Sequence, residues 1–215
     1  VLAGQPAQSF LRHADSPPGL QHPRTVGYLN VTEQSDPEPT TDSKVVFEGR
    51  IVKLRVDTVQ LPSGRTTTRE IVEHEDAVCV VPIDEDNNVL MVRQYRKPAQ
   101  LNLLEVPAGG VEAGETPEET VLRELQEEVG VTSGSLRKLA GFWVSPGWAT
   151  EFMHAYLAME LTSASLPADD DEYITVERVP LESIPGLIES GVIQDSKSIA
   201  SLLLALRLLG GDQPV

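Results

Sequence analysis

The sequence predicts an α+β fold: one mixed domain with a central sheet and helices packed against it, preceded by antiparallel strands. Three observations carry that prediction. Ala77–Ile83 (Ala-Val-Cys-Val-Val-Pro-Ile) is an unbroken apolar run, the signature of a buried strand. Thr116–Gly130 carries helix start and stop signals around apolar residues at helical spacing. The stretch from Asp195 to Gly210 has a capping residue followed by Ile199, Leu202, Leu203, Leu206 and Leu209 at the same period.

Taken in order, residues 1–43 lack apolar periodicity and are rich in turn signals, such as Pro17-Pro18-Gly19, His22-Pro23 and Ser35-Asp36-Pro37-Glu38-Pro39. Such a composition cannot bury enough surface to offset its ordering entropy, so a flexible tail is expected there. From Val45 the pattern becomes strand-like to Leu61, breaks at Pro62-Ser63-Gly64 and resumes over Thr66–His74, which reads as a hairpin. Residues 44–76 thus form a group of N-terminal strands ahead of a main domain over 77–211. In that domain the turn Asp84-Glu85-Asp86-Asn87-Asn88 leads from the buried run into Val89–Tyr95. Leu136–Val144, Phe152–Glu160 and Tyr173–Val179 are further strands. The first helix opens with a Thr116 cap, Pro117 at the first helical position and Glu119 three residues after the cap, a capping box. It ends at Gly130, a residue suited to the left-handed terminating conformation.

Composition narrows the chemistry. Of 215 residues, 17 are Lys or Arg and 33 are Asp or Glu, a formal net charge of −16. A surface this acidic repels phosphate backbones and anionic lipid, so no nucleic-acid or membrane partner is expected. An anionic substrate would need a metal or a local knot of arginines as mediator. Apolar residues make up 40%, enough for a proper core. The single cysteine, Cys79, excludes an intrachain disulfide and suits a reducing, cytoplasmic compartment. It sits in the buried run and is expected to be inert. The longest apolar stretch, Ile199–Leu209, is interrupted by Arg207, so no membrane span is expected. The opening Val1-Leu2-Ala3-Gly4 has no basic region leading into an apolar one, so no secretory leader is expected.

The first helix is unusual for its acidity. At ~100° per residue, Val121, Leu122, Leu125 and Val129 share one face. Glu124 and Glu128 lie side by side on another, with Glu127 flanking them. Like charges at this spacing cost roughly a few tenths of a kcal/mol per pair. A hard cation such as Mg²⁺ or Mn²⁺, which takes oxygen ligands and pairs carboxylates with phosphates, would make sense of the arrangement. By itself, the helix reads more readily as the solvated face of an acidic protein.

The context of the helix decides between these readings. From Gly109 the sequence runs Gly, five residues, Glu115, seven residues, Arg123-Glu124-Leu125, one residue, Glu127-Glu128, one residue, Gly130-Val131. This resembles the Nudix box at every specified position, and the strands on either side suit the α/β/α sandwich of that family, with its mixed central sheet. Gly109 and Gly110 would let the backbone approach a diphosphate closely, and the Ala108 carbonyl can reach a metal. The resemblance implies that Glu124 and Glu128 are metal ligands and that Glu127 is a further ligand or a base for water. It also implies that Arg123 and Glu115 support them by ion pairing.

Outside the box, Ser145-Pro146-Gly147-Trp148-Ala149-Thr150-Glu151 places Pro146 sixteen residues past Gly130. This segment is similar to the marker of the ADP-ribose pyrophosphatase subfamily. So are Arg93-Gln94-Tyr95-Arg96 with Leu104-Glu105-Val106-Pro107, and Arg69-Glu70-Ile71-Val72-Glu73-His74. The resemblance implies a homodimer whose N-terminal strands complete the partner subunit's nucleoside pocket. In it Arg69 and Glu70 hold the nucleoside, Gly110 and Arg96 bind the diphosphate, and Phe47 is a weaker candidate for stacking on the base. His74 is expected to be structural. The acidic run Asp169-Asp170-Asp171-Glu172 lies where the family often supplies a loop carboxylate, so Glu172 is expected as metal ligand or base, with Asp170 next. The activity implied is Mg²⁺-dependent hydrolysis of ADP-ribose to AMP and ribose 5-phosphate. The alternatives are cleavage of another nucleotide sugar or dinucleotide, and a module that senses a nucleotide without cleaving it.

Overall fold

The structure, a computed structural model, describes residues 37–167 and 173–210. Most of the segment read as a tail, and the loop carboxylates Glu172 and Asp170, lie outside the described residues.

Three antiparallel strands come first, β1 (Thr40–Glu48), β2 (Lys53–Gln60) and β3 (Thr66–Glu73), in spatial order β1-β2-β3. The run Val45–Leu61 is therefore two strands rather than one, reversing through Gly49–Val52, and β1 begins inside the segment assigned to the tail. The sequence hides both points because β1 is exposed along its whole length. Without a buried face, no alternation of apolar and polar residues marks where it starts and stops.

The main body holds β4 (Ala77–Pro82), β5 (Asn88–Arg96), β6 (Leu101–Glu105), β7 (Ala108–Gly110), β8 (Val131–Trp143), β9 (Phe152–Ser163) and β10 (Ile174–Pro180). One sheet has the order β7-β4-β9-β8 and the other β10-β5-β6. The β4–β9 pair is parallel while the remaining pairs are antiparallel, so the central sheet is mixed. The helices are α1 (Pro117–Glu124), α2 (Ile184–Glu189) and α3 (Ser196–Leu209).

β4 explains the layering. All six of its residues are buried. Val78 and Val80 pack with Val121 and Leu125 of the first helix, whereas Cys79 and Val81 join Met91, Leu157, Leu202 and Ala205 on the opposite side. Successive side chains of a strand point to opposite faces, so a strand apolar at every position must be covered on both. The result is the expected sandwich, with α1 on one face of the sheet and α3 on the other.

The capping box at Thr116 forms: its hydroxyl accepts the Glu119 N–H, and the Glu119 carboxylate accepts the Thr116 N–H. Past Glu124, however, the α-helix widens into a π-helical turn over Leu125–Val129, closed by Gly130 at φ 74°. The Gln126 side chain donates to the Leu122 carbonyl at 2.8 Å where the ladder changes. Such turns concentrate at functional sites, and this one carries Glu127 and Glu128.

Candidate active site

Three elements converge around the first helix. The short strand β7 brings Ala108, Gly109 and Gly110 across its face, because Cys79 pairs with Ala108 and Val78 with Gly109. The Ala108 N–H donates to Glu128 Oε2 at 3.0 Å. The Glu124 carboxylate lies so close to Gly109 that any Cβ there would overlap it. Both carboxylates are nine-tenths buried, Glu124 at 7% exposure and Glu128 at 6%.

Arg123 sits among the acidic groups. Its Nε donates to Glu115 Oε1 at 2.9 Å and its Nη1 to Glu124 Oε1 at 2.7 Å and Glu127 Oε2 at 2.9 Å. Its Nη2 reaches the Gly110 carbonyl at 3.0 Å. One guanidinium thus bridges three carboxylates and the strand opposite. This corrects the premise that the carboxylates simply repel until a cation arrives: Arg123 already offsets part of that repulsion. The hydrogen bonds from Arg123 hold the Glu115 carboxyl down to about 2 from its ordinary 4.5, helped by the Thr120 hydroxyl.

A carboxyl lowered in the folded state stabilises the fold above its unfolded value and loses that contribution as pH falls through the folded one. Glu115 therefore contributes in full above pH 4.5 and progressively less toward pH 2. Replacing Arg123 by Gln should lower the thermal midpoint at neutral pH and leave it nearly unchanged near pH 2. Equal loss at both would show that the pair contributes nothing through Glu115.

A cavity of about 320 Å³ opens beside β7, and Arg96, Ala108, Gly109, Gly110, Glu151 and Lys197 are among its walls. Arg96 does not stand alone there. Its Nε and Nη2 donate to the two oxygens of Glu105 at 3.0 and 2.8 Å. A second cavity, of about 410 Å³, lies between β3 and the 145–150 segment and is lined by Arg55, Arg69, Glu70, Trp143, Pro146 and Trp148. The segment is clipped to β3: Val72 donates to the Trp148 carbonyl at 2.8 Å, and the Thr150 hydroxyl bridges the His74 N–H and carbonyl. Arg69 is engaged by Glu38 through both carboxylate oxygens, and Glu70 is exposed. A larger hollow of about 850 Å³ touches the helix only at its far end, Val129–Gly130, away from these groups.

Sequence reading passed over several of these residues. Glu105 and Trp148 fall inside quoted motifs without an assigned role, and Lys197 carries no local signal at all. Phe47 lies on exposed β1, outside the residues lining either cavity. Cys79 is buried, and burial pushes its thiol up to about 11, consistent with a non-reactive core residue.

The donor set suits a hard cation: two buried carboxylates against a short strand, two of whose three residues are glycine, all oxygen chemistry. Among the described residues no three such side chains form a complete site, and Glu172, the expected third ligand, is not among them. No helix among the described residues is long and apolar enough to cross a membrane.

Comparison with known proteins bears on the same residues. The family model described as NUDIX domain matches residues 73–202, and that described as nucleoside diphosphate sugar hydrolase N-terminal domain matches 38–72. An ADP-ribose pyrophosphatase of Bacillus subtilis (strain 168) is 41% identical over 163 residues, 75% of this chain and 88% of that protein. A methanol dehydrogenase activator of Bacillus methanolicus is 41% identical over 77% of this chain and 90% of its own. An ADP-ribose pyrophosphatase of Mycobacterium tuberculosis is 36% identical over 76% and 81% respectively. A crystal structure of an ADP compounds hydrolase has the same fold, with a TM-score of 0.76 and 24% identity, covering 86% of this chain and all of that one.

Proposed function

The chain belongs to the NUDIX domain family of hydrolases, and from that premise we propose that it cleaves the diphosphate of ADP-ribose to AMP and ribose 5-phosphate. One observation carries the reading: Glu124 and Glu128 are buried against Ala108 and Gly109, beside a cavity that also holds Arg96. That combination suits a diphosphate bound through metal and cation on an otherwise acidic protein.

Mg²⁺, with Mn²⁺ as a substitute, would be held by Glu124, Glu128, Glu172 and the Ala108 carbonyl, and when bound it supplies polarisation of the diphosphate and acidification of water. The chain's own groups do the rest. Gly110, where a Cβ would meet nothing within 4 Å, lets the phosphates lie against the backbone, and Gly109 makes room for the Glu124 carboxylate. Arg96 binds the charge of the diphosphate alike before and during the attack of water on phosphorus. Glu172 accepts the proton of that water, with Asp170 or Glu127 as the alternative base. Arg123 engages Oε2 of Glu127 and Oε1 of Glu124, which fixes both carboxylates toward the site. Glu115 anchors Arg123 from the other end.

The nucleoside belongs in the cavity between β3 and the 145–150 segment, beside Arg69 and Glu70. We assign its missing wall to a partner subunit in a homodimer. The support is β1, where Val45, Val46 and Phe47 are exposed on what is, among the described residues, an edge strand, a surface that isolated proteins tend to cover. A cytoplasmic site of action accords with the single reduced cysteine.

The test is a panel of nucleoside diphosphate compounds with Mg²⁺, read by released AMP, alongside a solution mass. The expected result is brisk turnover of ADP-ribose by a particle of twice the chain mass. Preference for a GDP-sugar or a dinucleotide would overturn the substrate, and a monomer would overturn the shared pocket.

A further inference from the structure

The cavity wall that Arg96 and Lys197 form is built around a charged group that the proposed reaction leaves unexplained. Glu105 is 1% exposed, yet it is ionised among cations. Burial pushes its carboxyl up, but Arg96 and Lys197 outweigh burial and hold it below its ordinary value. Arg96 grips both of its oxygens from β5. Lys197 Nζ, near the start of α3, donates to Oε2 of the same carboxylate and to Asp195 Oδ2 at 2.9 Å. Asp195 caps α3 by accepting from the Ser198 N–H and hydroxyl at 3.0 and 2.6 Å, and the Ser198 hydroxyl oxygen accepts the Val106 N–H at 2.9 Å. The segment so tied, Glu105-Val106, runs directly into Ala108 and Gly109 at the site.

This arrangement decides how Arg96 can be used. A guanidinium has a fixed planar fork. With Nε and Nη2 spent on Glu105, its orientation follows that carboxylate, and Nη1 is the end left for the cavity. Glu105, pulled by Arg96 alone, could rotate about its own side-chain bonds. A second cation on Oε2, delivered from a different element, removes that freedom.

We propose that Lys197 is a positioning residue: by fixing the buried Glu105 carboxylate from α3, it aims Nη1 of Arg96 at the substrate diphosphate in the cavity beside Gly109. The inference rests on the proposed hydrolase reading for its ligand, but the geometry it asserts can be tested without turnover.

The experiment compares wild type with Lys197→Met, Lys197→Arg, Arg96→Ala and the Arg96→Ala/Lys197→Met double variant. Thermal unfolding confirms that each variant is folded. In steady-state hydrolysis of ADP-ribose, Lys197→Met should raise KM by about tenfold while changing kcat little, a misaimed arginine losing on the order of one charge-assisted hydrogen bond. Lys197→Arg should recover most of the loss, and the double variant should be no worse than Arg96→Ala, since a positioning role vanishes with the group it positions. Additive losses in the double variant, or an unchanged KM in Lys197→Met, would overturn the proposal. The arm that needs no turnover is NMR of the Arg96 Nε–H, which should exchange with water faster in Lys197→Met than in wild type. If wild type cleaves no ADP-ribose, the hydrolase reading fails, and the NMR arm alone decides whether Lys197 holds Arg96. Should Lys197→Met fail to fold, Lys197→Gln, which keeps a donor without the charge, takes its place, with the same expected rise in KM.

Discussion

Glu128→Gln is expected to reduce hydrolysis of ADP-ribose by on the order of 10³-fold in the presence of Mg²⁺, the scale seen when a preorganised electrostatic group is lost. The substitution is nearly isosteric. The amide oxygen can still accept the Ala108 N–H that Glu128 Oε2 accepts at 3.0 Å, so the contact between the helix and β7 survives. What disappears is one negative charge in a buried setting, next to Glu124 and Glu127. Removing a like charge relieves repulsion, so the thermal midpoint should hold steady or rise. Loss of activity with retained stability separates a role in chemistry from a role in folding. Near-normal rates in this variant would refute Glu128 as a metal ligand.

The second large effect is expected at Gly109. A Cβ at this position would run into the Glu124 carboxylate. The obstacle is the far end of a flexible side chain rather than backbone, so Gly109→Ala can be accommodated by swinging Glu124 aside. Stability should fall by about 1–3 kcal/mol, because swinging the buried Glu124 aside gives up its hydrogen bond from Arg123. Activity should fall by about 10²-fold, because a displacement near 1 Å in a reacting constellation costs that much. Gly186→Ala on α2, where an added Cβ meets nothing within 4 Å, is the control for a simple glycine effect. Equal activity in the two variants would show that the close approach of Gly109 to Glu124 has no catalytic meaning.

Much of this architecture is legible in one dimension because its signals are local. The capping box, the terminating Gly130 and the apolar run of β4 each depend on neighbours within a few residues, and each forms as the sequence predicts. The box is legible for the same reason: helical spacing alone puts Arg123, Glu124, Glu127 and Glu128 within reach of one another. Where a segment lacks a buried face the signal fails. β1 is exposed throughout, so its limits cannot be read from alternation. The π-helical turn is hidden too, since one widened turn barely changes the period of its apolar residues.

What the sequence determined by itself is the chemistry available: an acidic helix with an embedded arginine, glycines ahead of it, and a core strand to carry them. What only the tertiary structure decided is how the scattered charges are paired. Glu105 meets Lys197, 92 positions away, and Arg69 meets Glu38, 31 positions away. Packing α3 against β4 brings the first pair together, and pairing β1 and β3 on either side of β2 brings the second. No periodicity encodes such meetings, because they depend on which faces of distant elements are driven out of water against each other. In this protein that long-range burial decides where Arg96, the cavity's candidate phosphate-binding arginine, can point.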